Sequence, residues 1–360
     1  MNRYSHKYLL SRLVISIFIF LLAGCQSYPS DRGQQYGNQR LSQSLTWVRE
    51  SNAKGKPVNV KSYLEQIAAI NQSSPRLYNG NRETFNAVQK WLESGGDSHR
   101  LSQFGLHAYQ MAGVDGFGNV QFTGYYTPIV EARRTPQGKF RYPLYAMPPK
   151  GKEKLPHRQA IYAGVLDKHD VAIAFTNSLI DNFIMEVQGS GYVDFGDGKP
   201  LTFFAFAGKN GYTYRSIGKV LTDSGEIALA DMSTQAIRHW AATHSEAELK
   251  ELLIQNPSFV FFQPIMDAPV KGASAVPLIA QASVASDPSL IPAGTTLLAE
   301  IPLLDQQGKF TGKYQMRLMV SLDVGGAIKG HHLDIYQGIG NEAAHEAGFY
   351  NHYGRVWVLK

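Results

Sequence analysis

Residues 13–22 form an apolar run broken only by Ser16 and preceded by the basic residues Arg3, Lys7 and Arg12. A helix that crosses a bilayer needs roughly 20 apolar residues, so this run reads as the core of a signal peptide spanning residues 1–24. From Cys25 to about Thr46 the chain turns polar and glycine-rich, the composition of a flexible tether. Beyond it, Phe85, Val88, Trp91 and Leu92 recur at helical spacing, and Gly95-Gly96 supplies a stop. Residues 233–255 are helical as well. Ser245 and Glu248 form a capping box that divides them into two consecutive helices, and Asn256-Pro257 closes the second.

Nearly everything else reads as strand and turn. Short apolar or alternating runs at residues 120–126, 259–263, 297–303, 314–322 and 355–359 are separated by glycine-bearing turns. Asp305-Gln306-Gln307-Gly308 is a hairpin turn. Many short strands with few helices predict a mainly β protein built of small barrels rather than a βαβ sheet.

Cys25 is the only cysteine, so the chain has no internal disulfide. Its setting, Leu22-Ala23-Gly24-Cys25, resembles a bacterial lipobox, which implies lipidation of Cys25 and a stable lipid anchor. Gln26 follows it; the absence of an aspartate there favours the outer membrane, facing the periplasm. With 44% hydrophobic and 18% charged residues the chain can bury a sizeable core, and its length suggests two domains. The net charge of +6 shrinks without the leader: losing Arg3, Lys7 and Arg12 leaves 32 basic against 29 acidic residues. A surplus of three positive charges argues against a nucleic-acid partner.

Several familiar patterns fail on physical grounds. His345-Glu346 begins like a zinc-protease helix, but Phe349 stands where the second histidine is needed. His331 and His332 are adjacent, so on a strand they point to opposite faces. Asp194-Phe195-Gly196 lacks the glycine-rich phosphate loop of a kinase and reads as a turn. Gly272-Ala273-Ser274-Ala275-Val276 lacks the final glycine of a nucleophile elbow. No metal and no cofactor is expected.

A carboxylate-rich C-terminal stretch remains. Asp323 follows a strand-like run and precedes Gly325-Gly326. Asp334 lies between Leu333 and Ile335, so on a strand it shares a face with Tyr336 while the two aliphatic residues share the other. Aromatic and apolar surroundings raise a carboxyl pKa and suit a general acid. The local pattern leaves open the plainer alternative, a structural carboxylate bonded to turn amides.

Leu322-Asp323-Val324-Gly325-Gly326-Ala327-Ile328-Lys329-Gly330 followed by Asp334-Ile335-Tyr336-Gln337-Gly338-Ile339-Gly340 resembles the signature of the membrane-bound lytic murein transglycosylase A family, with its C-terminal three-aspartate domain. The likeness extends upstream through Phe122-Thr123-Gly124-Tyr125-Tyr126-Thr127-Pro128, Val187-Gln188-Gly189-Ser190-Gly191, Asn256-Pro257-Ser258-Phe259, Lys271-Gly272-Ala273-Ser274-Ala275 and Ser283-Val284-Ala285-Ser286-Asp287. It covers essentially the whole mature chain.

The resemblance implies a double-psi β-barrel of residues 47–125 and 265–360, a smaller inserted β-barrel of residues 126–264, and a groove between them. It singles out Asp287, Asp323 and Asp334, and places the catalytic acid/base on Asp334 with Asp323 as rival. The implied reaction is non-hydrolytic cleavage of the bond between N-acetylmuramic acid and N-acetylglucosamine in peptidoglycan, leaving 1,6-anhydro ends. Thr123, Tyr125, Gln188, Lys271 and Ser274 are the expected groove contacts. Expected partners are glycan strands, the outer membrane through the lipid, and cell-wall synthesis or remodelling proteins. The alternatives are a hydrolytic muramidase, which needs a second carboxylate and water, and a glycan-binding lipoprotein without activity.

Overall fold

The computed structural model describes residues 31–49, 51–53, 55–149 and 154–360; the signal segment and Cys25 lie outside them. The strands are β1 (Leu45–Val48), β2 (Ala108–Met111), β3 (Val120–Thr127), β4 (Ile129–Arg133), β5 (Tyr142–Tyr145), β6 (Ala172–Thr176), β7 (Gly191–Asp194) and β8 (Thr202–Lys209), then β9 (Val260–Ile265), β10 (Ser283–Ala285), β11 (Thr296–Leu304), β12 (Phe310–Asp323), β13 (His332–Ile339), β14 (Asn351–Gly354) and β15 (Val356–Leu359). Among the described residues they pair in two sheets. One has the order β1-β2-β15-β11-β12-β10-β13-β3-β14, the other β5-β6-β4-β7-β8-β9.

The middle of the large sheet is buried on both sides, which is why β10, β11 and β15 read as near-continuous apolar runs. Leu297, Ala299, Ile301 and Met319 meet Phe122, Val284, Leu333 and Ile335 in one core. Their neighbours Leu298, Leu318 and Val320 join Trp357 in a second core. That second core is roofed by Tyr63 and Ile70 of helix Val60–Ser73 and by Phe85, Val88 and Trp91 of helix Pro75–Glu93. The expected hairpin is present between β11 and β12, where Asp305 Oδ1 accepts from the amides of Gln307 and Lys309 at 2.9 Å each. The capping box at Ser245 also forms, separating helices Thr234–Thr243 and Glu246–Leu253.

Several segments expected to be strand and turn are helices: Val60–Ser73, Leu179–Gln188, Ile217–Asp223 and Gly340–Phe349. In the first, the buried face carries Gln66 between Tyr63 and Ile70. The Gln66 amide accepts from the Ile279 backbone at 2.8 Å and donates to the Pro277 carbonyl at 3.0 Å, so a polar residue satisfied in the core breaks the apolar stripe. In the last, the buried positions are the small residues Gly340, Ala343 and Ala347. The segment expected to be a tether is docked from Arg32 onward. Gln35 exchanges two 2.8 Å hydrogen bonds with the Asn119 side chain, and the Tyr353 amide donates to the Arg32 carbonyl at 2.8 Å.

Two features fix the region around β3. The strand passes into β4 of the second sheet with only Pro128 between them. Helix Gly340–Phe349 lies so close that a Cβ on Gly124 would stand 2.8 Å from Ala347 Cα. Backbone cannot yield as a flexible side chain does. Gly124→Ala is therefore expected to lower stability by about 1–3 kcal/mol, read as a reduced urea midpoint with the denaturant slope unchanged.

Candidate active site

Strand register builds the site. On β12, β10, β13 and β3, Asp323 pairs with Ala285, Ala285 with Asp334, and Asp334 with Thr123. Residues opposite one another across a ladder point to the same face, so these four side chains form one row. Asn351 of β14 extends it beyond Thr123. Leu333 and Ile335 turn to the opposite face and are fully buried, as the alternation around Asp334 predicts. Tyr336, two residues along from Asp334, packs its ring 5.2 Å from that of Tyr125.

The two carboxylates are held differently. Asp323 Oδ1 accepts from the amides of Ala273 at 2.8 Å and Val324 at 2.9 Å, while Oδ2 accepts from the Tyr125 hydroxyl at 3.0 Å. Asp334 Oδ1 accepts from the Thr123 hydroxyl at 2.6 Å, and Thr123 Oγ1 also lies 2.8 Å from His332 Nε2. One carboxylate is thus fixed by three donors, and the other rests on one hydroxyl with part of its surface still open.

Burial drives the Asp334 carboxyl up to about 7; the Thr123 hydrogen bond opposes this, and the Asp323 charge adds to it. Burial also raises Asp323, against the pull of the two amides and Tyr125. Burial, reinforced by the two carboxylates, pushes the Tyr125 phenol well above its usual range. A group poised near neutrality is the form in which a single carboxyl can first give and then take a proton.

Asp287 sits apart from this row. Its Oδ2 accepts from the Gly330 amide at 2.9 Å, and its Oδ1 from the Ser289 amide and hydroxyl at 3.0 and 2.7 Å. The Gly330 amide, then Ser289, lower its pKa to about 2. It clamps the loop that leads into β13. Gln188 caps a neighbouring join, its Oε1 accepting from the Tyr126 amide at 3.0 Å. Lys271 is exposed and Ser274 half-buried, on the segment where Ala273 meets Asp323 and the Ser274 amide donates to the Leu322 carbonyl at 3.1 Å.

Sequence reasoning did not connect His332 to the site, although it lies two residues before Asp334 and so shares its face. The zinc-like His345 instead sets its ring against Phe349 at 4.5 Å. A separate cavity of about 390 Å³, lined partly by Glu226, Trp240 and His244, includes none of the row's residues.

A native Asp334 pKa near 7, against about 4 for an unfolded aspartate, gives a definite sign. Below pH 4 both states hold the proton, and the group has no effect. Between pH 4 and 7 the unfolded state alone releases it, so native stability falls as pH rises; above 7 the full cost remains. Asp334→Asn is expected to be roughly 1–3 kcal/mol more stable than the parent at pH 8, allowing for the residual solvent contact. The gap should close by pH 4, as read from urea midpoints across the range.

Comparison with known proteins gives concordant results. Residues 121–263 match the MltA family, described as the MltA specific insert domain, and residues 282–360 match the 3D domain. The chain is 63% identical to membrane-bound lytic murein transglycosylase A of Escherichia coli (strain K12) over 355 residues, 98% of this chain and 95% of that one. It is 45% identical to the Vibrio cholerae protein of the same name, covering 97% and 94%. The crystal structure of E. coli MltA with bound chitohexaose superposes with a TM-score of 0.88 at 63% identity, covering 93% of this chain and 99% of that one. The chain belongs to the membrane-bound lytic murein transglycosylase A family.

Proposed function

We propose that the chain cuts the β-1,4 bond between N-acetylmuramic acid and N-acetylglucosamine in peptidoglycan with Asp334 as its one acid/base. As a family member it is a peptidoglycan lytic transglycosylase. The observation that carries the finer reading is the contrast within the row. Asp323 is saturated by two amides and a phenol, whereas Asp334 is poised near neutral pH on a single hydroxyl.

Protonated Asp334 gives its proton to the bridging oxygen as that bond to C1 of the muramic acid breaks. The resulting carboxylate takes the proton of the same sugar's C6 hydroxyl as that oxygen bonds to C1. The product is a 1,6-anhydro end, no water is consumed, and Asp334 is again protonated. Nucleophile and electrophile share one ring, which removes the entropy cost of bringing in a second reactant. Asp323 lends negative potential near the developing oxocarbenium ion and fixes Tyr125 by its hydrogen bond. Thr123 holds Asp334, Tyr125 offers an aromatic face to a sugar, Lys271 and Ser274 reach the glycan from the return segment, and Gln188 ties β3 to the helix beside it. Asp287 holds the loop before β13. The bound chitohexaose of the E. coli relative supports a glycan-sized groove here.

The two sheets support a division into residues 47–125 with 265–360, and an inserted 126–264. A double-psi barrel is supported by residues 351–359. Only Arg355 separates β14 from β15, and this run pairs with β3 at one end and with β11 and β2 at the other. Counted as one strand, it would adjoin β3 at one end and β11 at the other, the adjacency that a closed ring with β12, β10 and β13 requires. Lipidation of Cys25 anchors the enzyme to the outer membrane, facing the wall. Wall synthesis or remodelling proteins are its expected neighbours.

Mass spectrometry of products from purified sacculi tests the chemistry. The parent is expected to release anhydromuropeptides, and Asp334→Asn to lose about a hundred- to ten-thousand-fold of that rate with its fold unchanged. Reducing ends heavier by one water make the enzyme a hydrolytic muramidase, and full activity in Asp334→Asn moves the role to Asp323. Binding of sacculi without release of any product makes it a glycan-binding lipoprotein. Cys25→Ala is expected to leave the membrane fraction for the soluble one with turnover intact; retention in membranes refutes the lipid anchor.

A further inference from the structure

We propose that His332 is a positioning residue that acts on Asp334 through the single hydroxyl proton of Thr123. The inference rests on Asp334 being the acid. Thr123 Oγ1 stands 2.6 Å from Asp334 Oδ1 and 2.8 Å from His332 Nε2. A threonine hydroxyl donates once and accepts through two lone pairs. It cannot donate to both neighbours, and the ring nitrogen that carries hydrogen decides which one it serves.

The Ala327 carbonyl lies on the imidazole's other side and favours an N–H directed at it. With Nε2 turned to Thr123, that N–H is the one on Nδ1. Burial lowers the His332 pKa and keeps the ring neutral. A neutral ring with hydrogen on Nδ1 offers only a lone pair at Nε2. Once the carboxyl is protonated, Thr123 turns its hydroxyl from Oδ1 to Nε2 and accepts the acid proton of Asp334, so the chain runs from Asp334 through Thr123 to His332 and favours the protonated carboxyl.

When the carboxyl has given its proton to the sugar oxygen, the anion draws the Thr123 hydroxyl back to Oδ1. Two lone pairs then confront each other across the 2.8 Å between Oγ1 and Nε2 unless the ring takes up or relocates a proton. Ionisation is opposed, and the acid stays loaded at neutral pH. The proton account is unchanged: one leaves the carboxyl for the leaving oxygen, and one returns from the C6 hydroxyl.

Among the described residues, no cation is among the groups that set the Asp334 carboxyl. Asp334 is faced by Asp323 of β12 and Tyr125 of β3, with Tyr336 of β13 against Tyr125. β10 contributes Ala285, β14 contributes Asn351, and helix Gly340–Phe349 meets β3 through Ala347. His332 is paired across the ladder with Gln121. Its neighbour His331 is itself lowered by burial.

Carbon-13 labelling of aspartate carboxyls, with Asp334→Asn identifying the resonance, reads the Asp334 titration without reference to turnover. His332→Leu is expected to lower that midpoint by about 0.5–1 pH unit and to move the alkaline limb of kcat/KM for anhydromuropeptide release down with it. In a Thr123→Val background the same substitution is expected to move neither. Nitrogen-15 shifts of the unsubstituted protein are expected to place hydrogen on His332 Nδ1 and none on Nε2 at pH 7, a measurement that needs no variant to fold. The proposal is overturned by a midpoint that stays or rises, by a shift that survives loss of the Thr123 hydroxyl, or by hydrogen on Nε2. Activity retained in Asp334→Asn would instead refute the role of Asp334 itself, and the carboxyl titration would still report on the hydrogen-bond chain.

Discussion

The site depends on the register that sets Ala285 between Asp323 and Asp334. Strands lie about 4.8 Å apart, so one intervening strand holds the two carboxylates near each other without contact. The methyl group between them leaves the face open. A slip of one residue in β13 would turn Asp334 into the core and Leu333 or Ile335 out of it. The full burial of both aliphatic residues is what makes such a slip costly. The chemistry of the wet face is thus secured by apolar packing on the dry one.

Donor supply then separates two carboxyls of the same residue type. Backbone amides at a turn are fixed and plentiful around Asp323, so its charge is supported even where burial opposes it. Asp334 lies mid-strand, where the backbone amides are committed to the ladder, and a side-chain hydroxyl is its hydrogen-bond support. Position along a strand, more than residue type, sets which of the two can exchange a proton near neutrality.

Much of this was legible in the sequence. The alternation Leu333-Asp334-Ile335-Tyr336 predicted the face of Asp334, and the hairpin and capping box were readable from four residues each. What escaped has physical causes. Helix Gly340–Phe349 packs through Gly340, Ala343 and Ala347, and small residues leave no apolar stripe to detect. Gln66 interrupts another stripe because its partners, Pro277 and Ile279, are more than 200 residues away. The contact between His332 and Thr123 spans 209 residues, and no local pattern reports a meeting of that kind. Asp287 came to notice through family likeness, while its role as a clamp depends on the amides it meets in space.

The passage of β3 into β4 through Pro128 alone has a mechanical consequence. One continuous strand carries Thr123 and Tyr125 and then becomes a stave of the second sheet. No slack loop lies between them to absorb a pull. Any shift of the second sheet along that strand would therefore be passed lengthwise to Thr123, with no hinge between to relax it.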